Sequence, residues 1–454
     1  MRRFSLVGRL GPDDKTRIAI LQRDSAAYEI DFLNADRRLD FGIGHALDQL
    51  RSLGLAPSEA AVDLVLVAAL VNAGDTRVSR AANAQDGWTR EIDLYAPVSD
   101  PMRWAELSGE LEALLKFLTG DRWRFFFRAR PKRLSSLVEL AENLPLDGLD
   151  EVCLFSGGLD SLIGAIDLIK SGRRPLLVSH YWDAETSKAQ TYLLERLERR
   201  FPIPEIRSIR IRLGFDRNDL NTGETEETQR GRSFLFFALA SLAASSFGKP
   251  TTVNVPENGL IALNVPLDPL RFGALSTRTA HPYFIAGMNR LLRAIDVEAT
   301  LVNRYRHKTK GEMTASCADR EFLKKVVANS MSCSSPAKAR YKKLSPRHCG
   351  YCVPCLIRRA SLKKGLGTAD PTLYTVPVLS AQALLTNKAE GQDVRSFQLM
   401  ADRIKKRPEL AKILVHKPGP LMDAPSEVAA YADVFGRGVL EVAVLLRGVT
   451  AKPG

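Results

Sequence analysis

Through the middle of the chain, short solid apolar runs alternate with stretches whose apolar residues recur at helical spacing. Residues 151–155 and 175–179 are compact apolar runs, as expected of strands covered on both faces, and 251–255 and 298–302 read as strands that complete the set. In 209–213, Ile209, Ile211 and Leu213 alternate with Arg210 and Arg212, the period of a strand with one more polar face. Between the first two runs, Leu162, Ile166 and Ile169 fall on one helical face, and Gly172 stands where a C-terminal cap belongs. Residues 184–201 and 229–247 repeat the helical pattern. Strands separated by helices in this way predict an α/β unit with a parallel, doubly wound sheet.

The flanks read differently. Before the central unit, 18–21, 91–95 and 123–127 have strand character, and 41–53 and 104–118 have helical periodicity, a mixed α+β pattern. Pro131, Pro145 and Gly148 break the pattern over 129–150, which predicts a linker. After Gly365 the pattern is mostly helical, with segments at 381–385, 394–405 and 426–446. The expected organisation is an α+β extension over 1–145 that could dock a partner, a central unit over 146–365, and a helical extension over 366–454.

Composition narrows the class only modestly. A chain of 454 residues with 45% hydrophobic and 26% charged residues is an ordinary soluble globular composition. The longest apolar-rich run, 233–247, is too short to span a bilayer and contains serines, so no membrane partner is expected. Arg9 and Asp13 interrupt any signal-peptide core behind the basic start, and a cytoplasmic location is expected. The net charge of +13 is spread along the chain, with denser patches at 304–310 and 338–347. Without an aromatic-rich RNA-binding signature, nucleic acid is not expected as a direct partner.

Two local motifs carry chemistry. The first is Ser156, Gly157, Gly158, Leu159, Asp160 and Ser161, placed between a predicted strand and a predicted helix. Glycines there let backbone N–H groups approach an anion, and the helix N-terminus adds partial positive charge. The spacing is neither G-x-x-x-x-G-K-[ST] nor G-x-G-x-x-G; S-G-G-x-D-S resembles the PP-loop that holds the pyrophosphate of ATP. The second motif is Cys349, Cys352 and Cys355, at C-x2-C-x2-C, with Cys333 upstream. Four thiolates at this spacing can close a tetrahedral Zn²⁺ site of structural type, and Gly350 permits the tight turn. An iron–sulfur cluster takes the same donor set. Cys153 reads as a core residue, and Cys317 is isolated.

Together the motifs resemble the 7-cyano-7-deazaguanine synthase (QueC)-like PP-loop family. Gly231 to Phe236 is similar to a family helix that opens with an arginine, and Lys310 to Met313 to its K-x-E-[IVM] element. Ser332, Cys333 and the stretch from Cys349 to Arg358 are similar to its cysteine-rich ending. The likeness covers roughly 150–365 and leaves both flanks outside it. Residues 255–264, 276–282 and 86–92 depart from the housekeeping synthases and resemble the anti-phage defence branch, the Qat system's QueC-like component above all. Type IV CBASS carries a cousin.

The resemblance implies an adenine nucleotide alpha hydrolase-like fold with ATP and Mg²⁺ as cofactors and a four-cysteine zinc knuckle at Cys333, Cys349, Cys352 and Cys355. Ser156 to Ser161 would hold the phosphates, and His180 would contact the adenosine. Asp160 would either meet Mg²⁺ or brace the loop; Lys310 and Arg232 would neutralise charge as pyrophosphate leaves. Asp160, Lys310 and Arg232 are therefore the candidate catalytic residues, and Glu257, Arg278 and His281 the candidate substrate residues. The implied activity is ATP-dependent C–N ligation: 7-carboxy-7-deazaguanine is adenylated and passed to an amine, in the defence branch one on an operon-encoded protein. A housekeeping synthase of the free nitrile and a catalytically silent scaffold are the alternatives. Neither the acceptor nor the oligomeric state is legible in the chain.

Overall fold

The computed structural model describes residues 3–84, 87–139, 148–201, 207–224, 226, 228–268, 278–367 and 370–454. The first part holds β1 (Arg3–Arg9), β2 (Ala26–Asp31), α1 (Ile43–Ser52), α2 (Glu59–Arg77), α3 (Arg80–Asn83) and β3 (Glu91–Val98). It continues with α4 (Pro101–Glu106), α5 (Ser108–Thr119) and β4 (Arg122–Ala129). The four strands pair in the order β2-β1-β3-β4, all parallel. The strand expected at 18–21 is instead irregular; β1 and β4 lie beside β3, and β2 lies on the outer side of β1. Leu21 is 58% exposed, so this run has no covered face to justify pairing.

The central part holds β5 (Glu151–Leu154), α6 (Leu159–Lys170), β6 (Pro175–His180), α7 (Ala184–Arg200), β7 (Arg207–Ile211) and α8 (Arg232–Ser245). It closes with β8 (Thr251–Asn254), α9 (Gly259–Leu263), α10 (Pro282–Ala294) and β9 (Ala299–Val302). These five strands pair in parallel in the order β7-β6-β5-β8-β9. The chain is thus a mixed α/β protein built on a four-stranded and a five-stranded parallel sheet. The expected strands over the central part are all present, while residues 140–147 of the expected linker, Asp86, Ser276 and Thr277 lie outside the described residues.

The two sheets share one apolar core. Helix α2 is buried nearly all round, and α8 is apolar on almost every face. A helix without a polar face must be sandwiched, and α2 lies along α8 between the sheets. Leu64, Leu66, Val71, Phe234, Phe237 and Leu242 are fully buried in this layer, each contributing about 1.5–3 kcal/mol. Burial of α2 all round, with Asp63, Asn72 and Asp75 among its buried residues, also explains why periodicity passed it over.

The remaining elements are α11 (Lys310–Ala315), α12 (Arg320–Val326), α13 (Val353–Leu366), β10 (Leu384–Leu385), α14 (Ala389–Lys406), α15 (Leu410–Leu414), α16 (Val428–Leu445) and β11 (Ala451–Lys452). The segment 381–385 is not helical as expected; Leu384 and Leu385 pair in parallel with Ala451 and Lys452. A five-residue stretch is too short to nucleate a helix against a strand partner. Helix α16 packs on α13, α14 and α9 around a second core that includes Phe397, Phe435 and Val439. Among the described residues, no helix is long and apolar enough to cross a membrane.

Candidate functional site

The strand order fixes where a ligand can go. The connection from β5 winds toward β6 and β7, whereas β8 and β9 lie on its other side. A crevice opens at the carboxyl ends of neighbouring strands where winding reverses, here between β5 and β8. The loop of Ser156, Gly157 and Gly158 follows β5, Glu257 and Asn258 follow β8, His180 ends β6, and Lys310 follows β9. Arg232 opens α8 at the same edge, and His281 caps α10 there.

The loop after β5 is shaped by its smallest residues. Gly157 has φ +82°, and a Cβ on it would meet Gln190 at 3.1 Å, so only glycine sits there without strain. Ser161 Oγ donates to the Gly158 carbonyl at 3.1 Å, and Ser156 and Ser161 hydroxyls stand 3.2 Å apart. The N–H groups of Gly158 and Leu159 donate to Ser156 Oγ and Ser332 Oγ, both at 3.3 Å. Two hydroxyl oxygens therefore occupy positions suited to anionic oxygens at the start of α6.

Asp160 turns away from this loop into a buried charge group. Lys310 Nζ lies 3.2 Å from its Oδ1, and Asn258 donates to Oδ2 through Nδ2 at 2.7 Å and its backbone N–H at 3.2 Å. Burial works to raise the Asp160 carboxyl, but the Lys310 ammonium and the hydrogen bonds outweigh it and hold it below the usual carboxylate range. Glu257 shares a hydrogen bond with Asp160; burial, then the Asp160 charge, pushes its carboxyl well above the ordinary range. The proton of this pair is thus favoured on Glu257, and the charge on Asp160. Asn258 also caps α9, so one side chain ties the β8 turn to the first turn of α6.

Lys310 is positioned from a distance. Thr309 and Glu312 form a capping box at the start of α11. Glu441 of α16 accepts from Gly311 N–H at 2.9 Å, from Thr309 Oγ1 at 2.7 Å and from Lys364 Nζ at 3.0 Å. A Cβ on Gly311 would stand 2.5 Å from that carboxylate.

Arg232 is a different kind of cation. Its guanidinium donates to the His180 carbonyl at 3.3 Å, and among the described residues no carboxylate stands at ion-pair distance from it. Gln190 links the same carbonyl to the Ser156 carbonyl, at 3.2 and 3.4 Å. The preceding residue, Gly231, donates its N–H to Asp75 of α2 at 2.7 Å. Asp75 belongs to a fully buried group with Arg90, Arg80 and Asp121. Thus the first part of the chain holds the start of α8.

The three histidines at this edge are neutral. Burial, then the Arg232 charge, brings His180 down to about 4, and its Nε2 meets the Leu213 carbonyl at 2.9 Å. Burial, then Arg278, brings His281 down to about 3; its Nδ1 accepts from Tyr283 N–H and caps α10. His348 Nε2 accepts from Ser332 N–H at 3.1 Å. Arg278 donates to the Phe117 carbonyl at 2.6 Å, away from the Asp160 group. The structure therefore gathers Asp160, Glu257 and Lys310, places His180 and Arg232 at the rim beside Ser156, and sets Arg278 and His281 against α5.

The cysteines form a compact centre. The sulfurs of Cys333, Cys349, Cys352 and Cys355 all lie within 4.8 Å of one another. Cys333 and Cys352 Sγ are 4.0 Å apart, and Cys349 and Cys355 Sγ 3.8 Å apart. Four sulfurs about 2.3 Å from one tetrahedral ion stand about 3.8 Å apart, so the donors fit one zinc ion and are too close to surround several irons. Backbone N–H groups of Ser335, Cys349 and Cys352 point at Cys333 and Cys349 sulfurs, as thiolates require. Gly350, at φ +93°, makes the turn where a Cβ would meet the Val376 carbonyl at 2.7 Å. These four cysteines can hold a zinc ion.

This centre reaches the loop directly. Ser332, next to Cys333, covers the Leu159 N–H, and Met331 N–H donates to the Gly157 carbonyl at 2.8 Å. Arg358, fully buried on α13, donates to Ser330 Oγ and the Val327 carbonyl and fixes this strap. Ser332, Asn258, Gln190, Asp75 and Glu441 escaped the sequence reading as site residues. Only Ser332 had a local signal, its place beside Cys333. A cleft of about 490 Å³ lies elsewhere, on the first sheet, lined by Arg3, Glu112, Lys116 and Trp123. Its arginines are already paired with Glu91 and Asp93. No protein-family model matches the chain, and no curated protein matches it significantly.

Proposed function

We propose that the protein is an ATP-dependent ligase of the QueC-like PP-loop type, adenylating 7-carboxy-7-deazaguanine and transferring it to an amine on a partner protein. The observation that carries this reading is the pairing of Ser156–Ser161, at the winding reversal of a parallel sheet, with a four-cysteine centre whose strap covers that same loop. The motif alone suits any phosphate chain; together with the cysteines it is the signature of the family the sequence resembles.

In this reading the carboxylate oxygen of the substrate attacks the α-phosphorus of ATP, the bond to the β-phosphate breaks, and pyrophosphate leaves. The acceptor amine then attacks the acyl carbon, forming the amide and releasing AMP and a proton. The protein's part is positioning and electrostatics. Loop N–H groups at Gly158 and Leu159 would exchange their hydroxyl partners for phosphate oxygens. Arg232 would meet developing negative charge with an unspent cation. Asp160 is committed to Lys310 and Asn258, which favours loop bracing over metal binding; the Mg²⁺ that accompanies ATP would then ride on the phosphates. The zinc ion would be structural, since four sulfurs leave no open position.

Incubation with ATP, Mg²⁺, 7-carboxy-7-deazaguanine and the protein encoded beside it tests the reading. Intact-mass analysis should show one added acyl-deazaguanine on that partner, with AMP in equal amount. Free nitrile with an unmodified partner would indicate the housekeeping synthase instead, and absence of nucleotide turnover would indicate a scaffold.

A further inference from the structure

Two stretches of the chain are dense in positive charge, and the fold treats them differently. In 304–310 the cations are taken up: Arg304 meets Glu151, Arg306 meets Glu427, and Lys310 meets Asp160. In 338–347 most are not. Lys338, Arg340, Lys342, Lys343 and Arg347 are five cations in ten positions, and 334–348 contains no acidic residue. Among the described residues, only Lys342 of these five stands at ion-pair distance from a carboxylate, that of Glu390. Arg340 and Arg347 bond within their own loop, to the Ala337 and Ser345 carbonyls and to Ser345 Oγ.

The loop is held in shape with its charges outward. Its base is the four-cysteine centre, since Cys333 precedes it and Cys349 follows it. Pro336–Lys342 winds as a 3₁₀ helix. Leu344 N–H donates to the Ala339 carbonyl at 3.2 Å, and Arg347 N–H to the Pro336 carbonyl at 3.4 Å. Ala339 is buried beneath, while Lys338, Arg340, Lys342 and Lys343 are exposed and Tyr341 is 84% exposed among them. Lys343 takes φ +56°, a left-handed conformation that glycine adopts at less cost. A lysine in that conformation points to a use for its side chain.

The make-up of this surface selects among acidic partners. Protein interfaces are depleted in lysine, and three of the five cations here are lysines. Phosphate chains are met by Lys and Arg, and unpaired bases stack on aromatic rings. We infer that the loop 336–347 docks single-stranded nucleic acid, with phosphates along Lys338, Arg340, Lys343 and Arg347 and one unpaired base on the Tyr341 ring. The lack of an aromatic-rich signature argues against an extended base-reading surface, and this site needs only one ring. The inference is independent of the proposed function, because neither the Ser156–Ser161 loop nor the amine acceptor enters it.

Fluorescence anisotropy with labelled oligo(U) and oligo(dT), on the full-length, zinc-loaded protein, tests it. Wild-type affinity should fall with salt at a log–log slope of about −2 to −3, as roughly four phosphate contacts to a single strand require. The Lys338→Gln, Arg340→Gln, Lys343→Gln triple variant should bind at least about tenfold more weakly with a slope near about −1, its zinc content and melting temperature unchanged. Tyr341→Ala should weaken binding by about fivefold or more without altering the slope, and Tyr341→Phe should retain it; this pair serves if the triple variant does not fold. Tighter binding of either oligonucleotide supports the site and identifies its source as RNA or DNA. Full affinity in the folded triple variant would overturn the site. An oligoglutamate of equal charge that competes equally well and is indifferent to Tyr341→Ala would overturn nucleic acid in favour of an acidic protein segment. Absence of binding to both oligonucleotides at low salt would overturn the inference and leave the proposed function untouched.

Discussion

Lys310 and Arg232 stand at the same edge of the same sheet, and both are largely withdrawn from water. Lys310 is spent: it sits against Asp160, and Glu441 of α16 holds its helix from behind. Arg232 is unspent: among the described residues its guanidinium meets the His180 carbonyl and no carboxylate, and Asp75 holds its helix through Gly231. Each cation is thus set by a different flank of the chain, one paired and one open. The difference separates two tasks that the sequence alone assigned equally to both residues. Removing a paired buried cation strands its partner's charge, whereas removing one without a counter-charge strands none.

The largest effect expected is on what supports the loop between them. Cys355→Ser should abolish zinc binding, and metal-linked folding energy of about 10 kcal/mol is at stake. Metal analysis should find no zinc, and thermal melting should show a lower, broader transition.

Next is the comparison itself. Lys310→Met strands Asp160 beside Glu257 and should destabilise by about 3–5 kcal/mol in denaturant unfolding. Arg232→Met should change stability by less than about 1 kcal/mol, in either direction, yet lower the adenylation rate by about 10²–10³-fold. Equal stability losses in the two variants would erase the distinction.

Acid should weigh on the open side. His180 and His281, beside Arg232 and Arg278, lie near 4 and 3 in the fold against about 6.5 unfolded. Because both are depressed, their contribution is complete above pH 6.5. It declines as pH falls toward 4, by about 1.4 kcal/mol per pH unit for each. His281→Asn, which can still cap α10, should lower the slope of stability against pH by about 1.4 kcal/mol per pH unit when unfolding is followed across pH 4–6.5.

The smallest effect is on the paired side. Glu441→Gln keeps the shape but weakens the bonds to Gly311 and Thr309, and should cost about 1 kcal/mol, with a rate loss below tenfold. A loss as large as that of Lys310→Met would make Glu441 part of the charge group itself.

The central sheet was legible because its strands read as short apolar or alternating runs and were separated by segments of helical pattern. The four cysteines were legible because their spacing is local. Helix α2 was not, since a helix buried on all sides has no apolar period to read, and with it went the shared core that fastens the first part to α8. Asp75 and Glu441 were invisible for a related reason: each acts on a residue more than a hundred positions away, and nothing near it announces the contact. Arg232 and Lys310 were found as cations, but their pairing is a tertiary fact.

The most direct test of the account is exchange of labelled pyrophosphate into ATP, run with the full-length protein in the absence of any acceptor. Exchange that requires 7-carboxy-7-deazaguanine, persists at reduced thermal stability in Lys310→Met, and vanishes in the stable Arg232→Met is the predicted result. Exchange in Arg232→Met at the wild-type rate, or cleavage of ATP to ADP and phosphate, would contradict it.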